Sequence, residues 1–181
     1  YSTKGGQDDY KDDINTRSLS SLLLSGGSCY VPNREGRRVP LELSLAVHSD
    51  AGYQADGRSV YGTLTICTTN SDGKQTLDAG TSRTMSKELA TLLLDNTVKD
   101  LQQHFGKWEK RQLYDRNYSE TRMPEVPSSI IETLSHQNFP DMRYGQDPNF
   151  RFSLARSIYK TLLRYINKVH EENYAVTPLT P

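Results

Sequence analysis

His48 and Glu132 are the two residues of this chain whose types and positions best suit chemistry. His48 closes the alternating segment Leu41-Glu42-Leu43-Ser44-Leu45-Ala46-Val47 and is followed by Ser49-Asp50-Ala51-Gly52. Glu132 lies near the end of a second apolar run, Val126-Pro127-Ser128-Ser129-Ile130-Ile131-Glu132-Thr133-Leu134. A neutral imidazole at a strand terminus can bind zinc, and a carboxylate on a neighbouring strand end can take a proton from a metal-bound water. Each has a plainer reading when taken alone. A lone histidine at a strand end is more often no ligand, and a carboxylate there is more often paired or solvated.

The elements that must position these residues follow from periodicity. Leu41, Leu43, Leu45 and Val47 alternate with Glu42, Ser44, Ala46 and His48, which predicts a strand with His48 on its less greasy face. Residues 60–69 are rich in β-branched and aromatic types and predict a second strand after the Asp56-Gly57 turn signal. From Ser86 to Phe105, Leu89, Leu93, Leu101 and Phe105 recur at helical spacing, and Gly106 follows as a stop. Leu113 to Thr121 reads as a polar strand, and 126–134 as a short apolar one. A second long helix is predicted from Asp147-Pro148 through Phe152, Ala155, Ile158, Leu162, Leu163, Ile166 and Val169. Alternating strands and helices give an α/β class, with a mostly parallel or mixed sheet flanked by helices. The expected organisation is an irregular segment over 1–38 with a short helix at Ile14 to Leu24, a body over 39–174, and a linker or tail over 175–181. In the first segment, the acidic run Asp8 to Asp13 reads as a solvated face or helix start.

Composition excludes some roles. The 181 residues suit one domain, and 22 basic residues cancel 22 acidic ones, so no basic field gathers nucleic acid or anionic lipid. Mean hydropathy is −0.72, and no apolar stretch approaches the roughly 20 residues that span a bilayer. No secretion signal is visible at the start. Cys29 and Cys67 form one bridge or none, and Cys67, inside an apolar strand, reads as a buried free thiol.

Val47-His48-Ser49-Asp50-Ala51-Gly52 resembles the "S-I-H-x-N/D-A" strand end of zinc-dependent N-acetylmuramoyl-L-alanine amidases of the family-3 type. About 80 residues later, Pro127 to Asn138 is similar to that family's "P-a-v-L-v-E-x-G-F-x-S-N". With Tyr118-Ser119-Glu120-Thr121-Arg122 and Ser135-His136-Gln137-Asn138-Phe139 included, the stretch most resembles the xanthan lyase-like branch found in Bacteroidetes. The resemblance implies an amidase-3-like, phosphorylase/hydrolase-like fold, zinc as cofactor, peptidoglycan or muropeptide as substrate, and a periplasmic or cell-surface location. It makes His48 a zinc ligand and Glu132 the catalytic carboxylate. His136 would line the substrate cleft or steady a transition-state oxygen, with a structural hydrogen bond as its alternative. Arg122 would pair with a substrate carboxylate or make a surface salt bridge. Asp50 would support the ligand histidine, contact substrate or hold its loop. The loop from Asp50 to Arg58 is a candidate gate.

The chain departs from the family pattern in one respect. Two further zinc ligands, a histidine in a "G-H-G-G" loop and a helix-borne glutamate, are expected upstream and neither is present. His104 and His170 read as polar positions on helix surfaces, and Glu42 lies roughly 20 Å from His48 along the strand, too far to share an ion. The expectation is therefore a C-terminal part of a catalytic domain, its N-terminal part missing, with an incomplete metal site and little activity. A degenerate, non-catalytic module that binds peptidoglycan or glycan is the alternative.

Overall fold

The structure is a computed structural model, and it describes residues 3–171. The tail expected over 175–181 lies outside the described residues. In chain order the elements are α1 (Asp9–Leu24), β1 (Ser44–Asp50), β2 (Thr63–Cys67), α2 (Thr84–Phe105), β3 (Lys110–Asp115), α3 (Ser119–Arg122), β4 (Ser128–Ser135), α4 (Phe139–Gln146) and α5 (Pro148–His170). The sheet has the order β1-β4-β2-β3. Ser44 N–H donates to Pro127 O (2.9 Å) and His136 N–H to Asp50 O (3.0 Å), so β1 and β4 run in the same direction. Thr63 pairs through its hydroxyl with Thr133 O (2.8 Å), and Ser129 through its hydroxyl with Ile66 O (3.1 Å), so β2 opposes β4. Thr63 N–H to Glu109 O (3.1 Å) and Arg116 N–H to Cys67 O (2.8 Å) align β3 with β2. The sheet is mixed, as the sequence allows.

The helices start and stop where side chains satisfy their ends. Asp8 caps α1 by accepting from Lys11 N (3.0 Å), which confirms the helix-start reading of the acidic run. Gly106, at φ +78°, ends α2, and its N–H bonds Gln102 O (3.0 Å). Asp147 accepts from Asn149 N (2.8 Å) ahead of Pro148 and opens α5. Three expectations shift. The first helix begins at Asp9 rather than Ile14 and leaves Leu23 and Leu24 exposed. The first strand starts at Ser44 and extends through Asp50. The polar strand of 113–121 ends at Asp115, and Ser119–Arg122 turns into a helix.

The chain divides into two compact units. The first comprises Tyr1–Val47, Thr65–Ala90 and Leu113–Ile131. Its core holds Val31, Ile66, Leu77, Leu89, Val126, Ile130 and Ile131, and Cys67, a free thiol with no exposure, whose burial pushes its pKa up to about 12. Here α1 packs on α3, with Arg17 reaching Glu120 at 3.2 Å. The second unit comprises His48–Leu64, Thr91–Gln112 and Glu132–Pro181. Its core gathers Leu93, Leu101, Trp108, Phe150 and Tyr165, each contributing about 2 kcal/mol by leaving water. Within it α4 packs on α5.

Candidate functional site at the ends of two parallel strands

Four of the five residues singled out from sequence, His48, Asp50, Glu132 and His136, fall in the second unit at the C-terminal ends of β1 and β4. Arg122 belongs to the first unit. It is half-buried at the end of α3 and makes no ion pair with any described residue. Open α/β sheets place ligands at the carboxyl ends of their strands, which is where these four residues stand.

Glu132 is the one residue of β4 that is not fully buried. Its Oε2 is a buried oxygen outside the hydrogen bonds of the described residues, although the residue does interact with its surroundings. The next side chain, Thr133, donates its hydroxyl to His48 O (2.9 Å), which fastens the two strand ends side by side. His48 itself is half-buried on the edge strand, while Val47, on the face expected to be greasier, is 59% exposed. An edge strand has a neighbour on one side only, so its apolar residues are covered less than the alternation suggests.

The ladder between these strands carries an extra residue. From the rung at Ser44, a regular parallel ladder would bring the N–H of Ser135 to Asp50 O, but the N–H of His136 arrives instead. Such a bulge in β4 re-aims the side chains near it. The displaced Ser135 N–H turns to Asp141 Oδ2 (2.9 Å). Asp141, wholly buried, also accepts from Tyr61 N (2.8 Å), Gly62 N (3.1 Å) and Asn138 Nδ2 (2.9 Å). Four donors around one carboxylate replace the water it lost. Gly62 is required at this point, since it adopts φ +86° and a Cβ there would strike Glu109 O.

The loop after β1 is tied down at several points. Gln54 N–H donates to Asn138 Oδ1 (3.1 Å), Ser135 Oγ donates to Gly52 O, and a Cβ at Gly52 would strike the Tyr61 side chain. Farther along, Asp56 accepts from the Ser59 hydroxyl and the N–H groups of Ser59 and Arg58, which lower its pKa to about 2. Asp50 sits in an ion pair with Arg111 (2.5 Å), and Arg111 also bonds Tyr61 OH (3.2 Å) and lies 3.9 Å above the Tyr61 ring. The carboxylate of Asp50 is thus engaged in holding its loop. His136 is exposed, and its Nδ1 lies 3.1 Å from Ser49 Oγ. Sequence reasoning missed Asn138, Asp141 and Arg111. Only Asn138 stood in a quoted motif, and the roles of all three come from partners 50 to 84 residues away.

The donors among the described residues do not by themselves make up a zinc site. Among the described residues no group of three His, Cys, Asp or Glu stands together to hold an ion, and a resident zinc takes three or four such ligands. What the strand ends do offer is Glu132, the half-buried residue of β4, on a strand end fastened to the one that carries His48 and braced by Asp141 and Asn138.

No family model matches the sequence, and no curated protein matches it. Solved structures do resemble it. The CwlD amidase of Clostridioides difficile, determined with the GerS lipoprotein, is 16% identical, with a TM-score of 0.60 over 93% of this chain and 70% of that one. The catalytic domain of CwlV, an N-acetylmuramoyl-L-alanine amidase of Paenibacillus polymyxa, is 17% identical, with a TM-score of 0.52 over 70% of this chain. This chain spans 58% of that domain. An N-acetylmuramoyl-L-alanine amidase of Nostoc punctiforme is 13% identical, with a TM-score of 0.51 over 86% of this chain and 84% of that one. A mixed four-stranded sheet flanked by helices, in the arrangement of these amidases, is therefore the fold of this chain.

Proposed function

We propose that this chain is a hydrolase of the N-acetylmuramoyl-L-alanine amidase kind, acting on the amide that joins the lactyl group of N-acetylmuramic acid to the L-alanine of the stem peptide. The observation that carries the reading is Glu132, the one residue of a buried strand left partly open, fastened beside His48 through Thr133. The fold likeness supports it. Glu132 would accept a proton from the attacking water and return it to the leaving nitrogen, so that one carboxylate serves as base and then acid. His136 would donate to the carbonyl oxygen as it gains charge, and Arg122 would meet a carboxylate of the stem peptide. Zinc enters the proposal through one donor, His48, and none of these proton transfers depends on it. Action on the cell wall, in the periplasm or at the cell surface of a Bacteroidetes-type organism, belongs to the same proposal. No helix of the described residues is long and apolar enough to cross a membrane.

A second reading, a non-catalytic module that holds muropeptide or glycan, is favoured by the small donor set around His48. Release of stem peptide from a muramyl peptide, measured with zinc supplied and with Glu132→Ala beside the parent, separates the two. Cleavage lost on substitution supports the hydrolase. Equal cleavage by both forms removes Glu132 from the reaction, and binding without cleavage, by this chain and by one extended upstream, supports the module.

A further inference from the structure

A hydroxyl and an imidazole meet at the strand ends apart from Glu132. Ser49 Oγ lies 3.1 Å from His136 Nδ1, and both residues are exposed. We propose that this pair is a nucleophile and its general base, and that it hydrolyses esters with an apolar acyl group through an acyl-serine.

The bulge in β4 builds the pair. It brings the N–H of His136 to Asp50 O (3.0 Å), which sets the imidazole beside Ser49. In a regular ladder Ser135 would hold that position, and Ser135 is instead buried, with its hydroxyl on Gly52 O and its N–H on Asp141. A nucleophile and a base within hydrogen-bond reach are the first requirement of covalent catalysis. The second is a donor for the oxyanion. His48 O and Asp50 O both face β4, where they receive the Thr133 hydroxyl (2.9 Å) and the His136 N–H. Strand alternation turns the main-chain groups of Ser49 the other way, to the free edge of β1, the last strand of the sheet. The N–H of Ser49 therefore has no strand partner among the described residues, and it lies close to its own Oγ, where an acyl oxygen would gain charge. Apolar surface for the acyl group flanks the pair. Phe139 is 71% exposed and Tyr53 69%, on segments joined by the Gln54 N–H to Asn138 Oδ1.

The steps balance. Ser49 Oγ bonds the acyl carbon as its proton passes to His136 Nδ1, and that proton leaves on the departing alcohol when the ester C–O bond breaks. Water then gives its oxygen to the acyl carbon and a proton to Nδ1, and Ser49 recovers its hydrogen as the acid departs. An Nδ1 that accepts from Ser49 leaves the ring hydrogen on Nε2, as the donor role given to His136 above requires. Glu132 takes no part, so failure of the proposed amide hydrolysis leaves this inference standing.

The test uses this chain in excess chelator, with diisopropyl fluorophosphate and p-nitrophenyl butyrate as probes. A single phosphoryl label per chain, located on Ser49 by peptide mass spectrometry, is the expected result. Ser49→Ala should lose the label and slow nitrophenol release at least tenfold, and His136→Gln should slow both at least tenfold. Ser119→Ala, at a serine of the first unit, should change neither. Far-ultraviolet circular dichroism checks that the variants fold, and the position of the label on the parent protein decides alone should they not. No label on the parent, a label on another residue, undiminished release by folded Ser49→Ala, or equally fast labelling of folded His136→Gln would each overturn the proposal.

Discussion

Two buried charges, Arg83 in the first unit and Asp141 in the second, are satisfied in opposite ways. In the first, Arg83 is only 1% exposed, and its guanidinium reaches Glu125 at 3.5 Å and the carbonyls of Thr76 and Thr121. Lys74 reaches the same Glu125 (2.8 Å), and Lys74 and Arg34 share Asp78. Three cations share two carboxylates, and the network is spent on structure. In the second unit, the buried Asp141 is satisfied by N–H groups of β4, of the approach to β2 and of Asn138, with no cation required. The cations Arg58, Lys107 and Arg143 stand at the surface along one cleft. The lesson is that a carboxylate held by backbone donors needs no basic side chain of its own, whereas one held by ion pairs does.

That contrast can be broken by substitution. Asp141→Asn places an amide group against backbone donors in a dry site, and it should cost about 3 kcal/mol or more in urea unfolding. A loss below about 1 kcal/mol would mean that the four hydrogen bonds do not organise the strand ends. Arg83→Met should cost about 2 kcal/mol, less because Lys74 continues to pair with Glu125. A larger loss than that of Asp141→Asn would reverse the ranking of the two units. Glu132→Gln should change stability by less than about 1 kcal/mol, since its side chain is not fully buried, while abolishing any cleavage. A strongly destabilised Glu132→Gln would return Glu132 to the structural residues.

The smallest effect concerns acid. Burial works to raise the pKa of Asp100, but hydrogen bonds from Lys160 (2.8 Å) and Ser157 outweigh it, and the net shift is downward. A lowered carboxyl pKa contributes stability that is present above the unfolded value of 3.8 and lost as pH falls through the folded one. Asp100→Asn should therefore be less stable than the parent at pH 6 by under about 1 kcal/mol, the pair being partly solvated, and equal to it near pH 2. Denaturant midpoints at the two pH values check the sign, and a difference that grows toward low pH would refute it.

Much of this architecture was legible because it rests on local signals. The stripe of Leu89, Leu93 and Leu101 with Gly106, and the Asp147-Pro148 start of α5, mark helices through short-range geometry. α4 was missed, since eight residues containing Pro140 and Gly145 show no helical period. α3 was taken for strand because four polar residues carry no pattern of either kind. The same division holds at the site. His48 and Glu132 stood out by their place in alternating segments, and the structure sets their strands side by side. Asp141 is an ordinary surface type in sequence and becomes a hub only through Tyr61 and Gly62, which nothing local announces. Lys107 and Arg143 meet at one cleft after a separation that no motif spans.

The hub at Asp141 also imposes an order in time. The N–H groups of Tyr61 and Gly62 wait for a carboxylate that is synthesised about 80 residues later, so the entry to β2 stays hydrated while α2, β3 and β4 are made. Closing so long a loop costs entropy before any contact rewards it. The strand ends that carry His48 and Glu132 are therefore braced only once residue 141 has been made and has reached them.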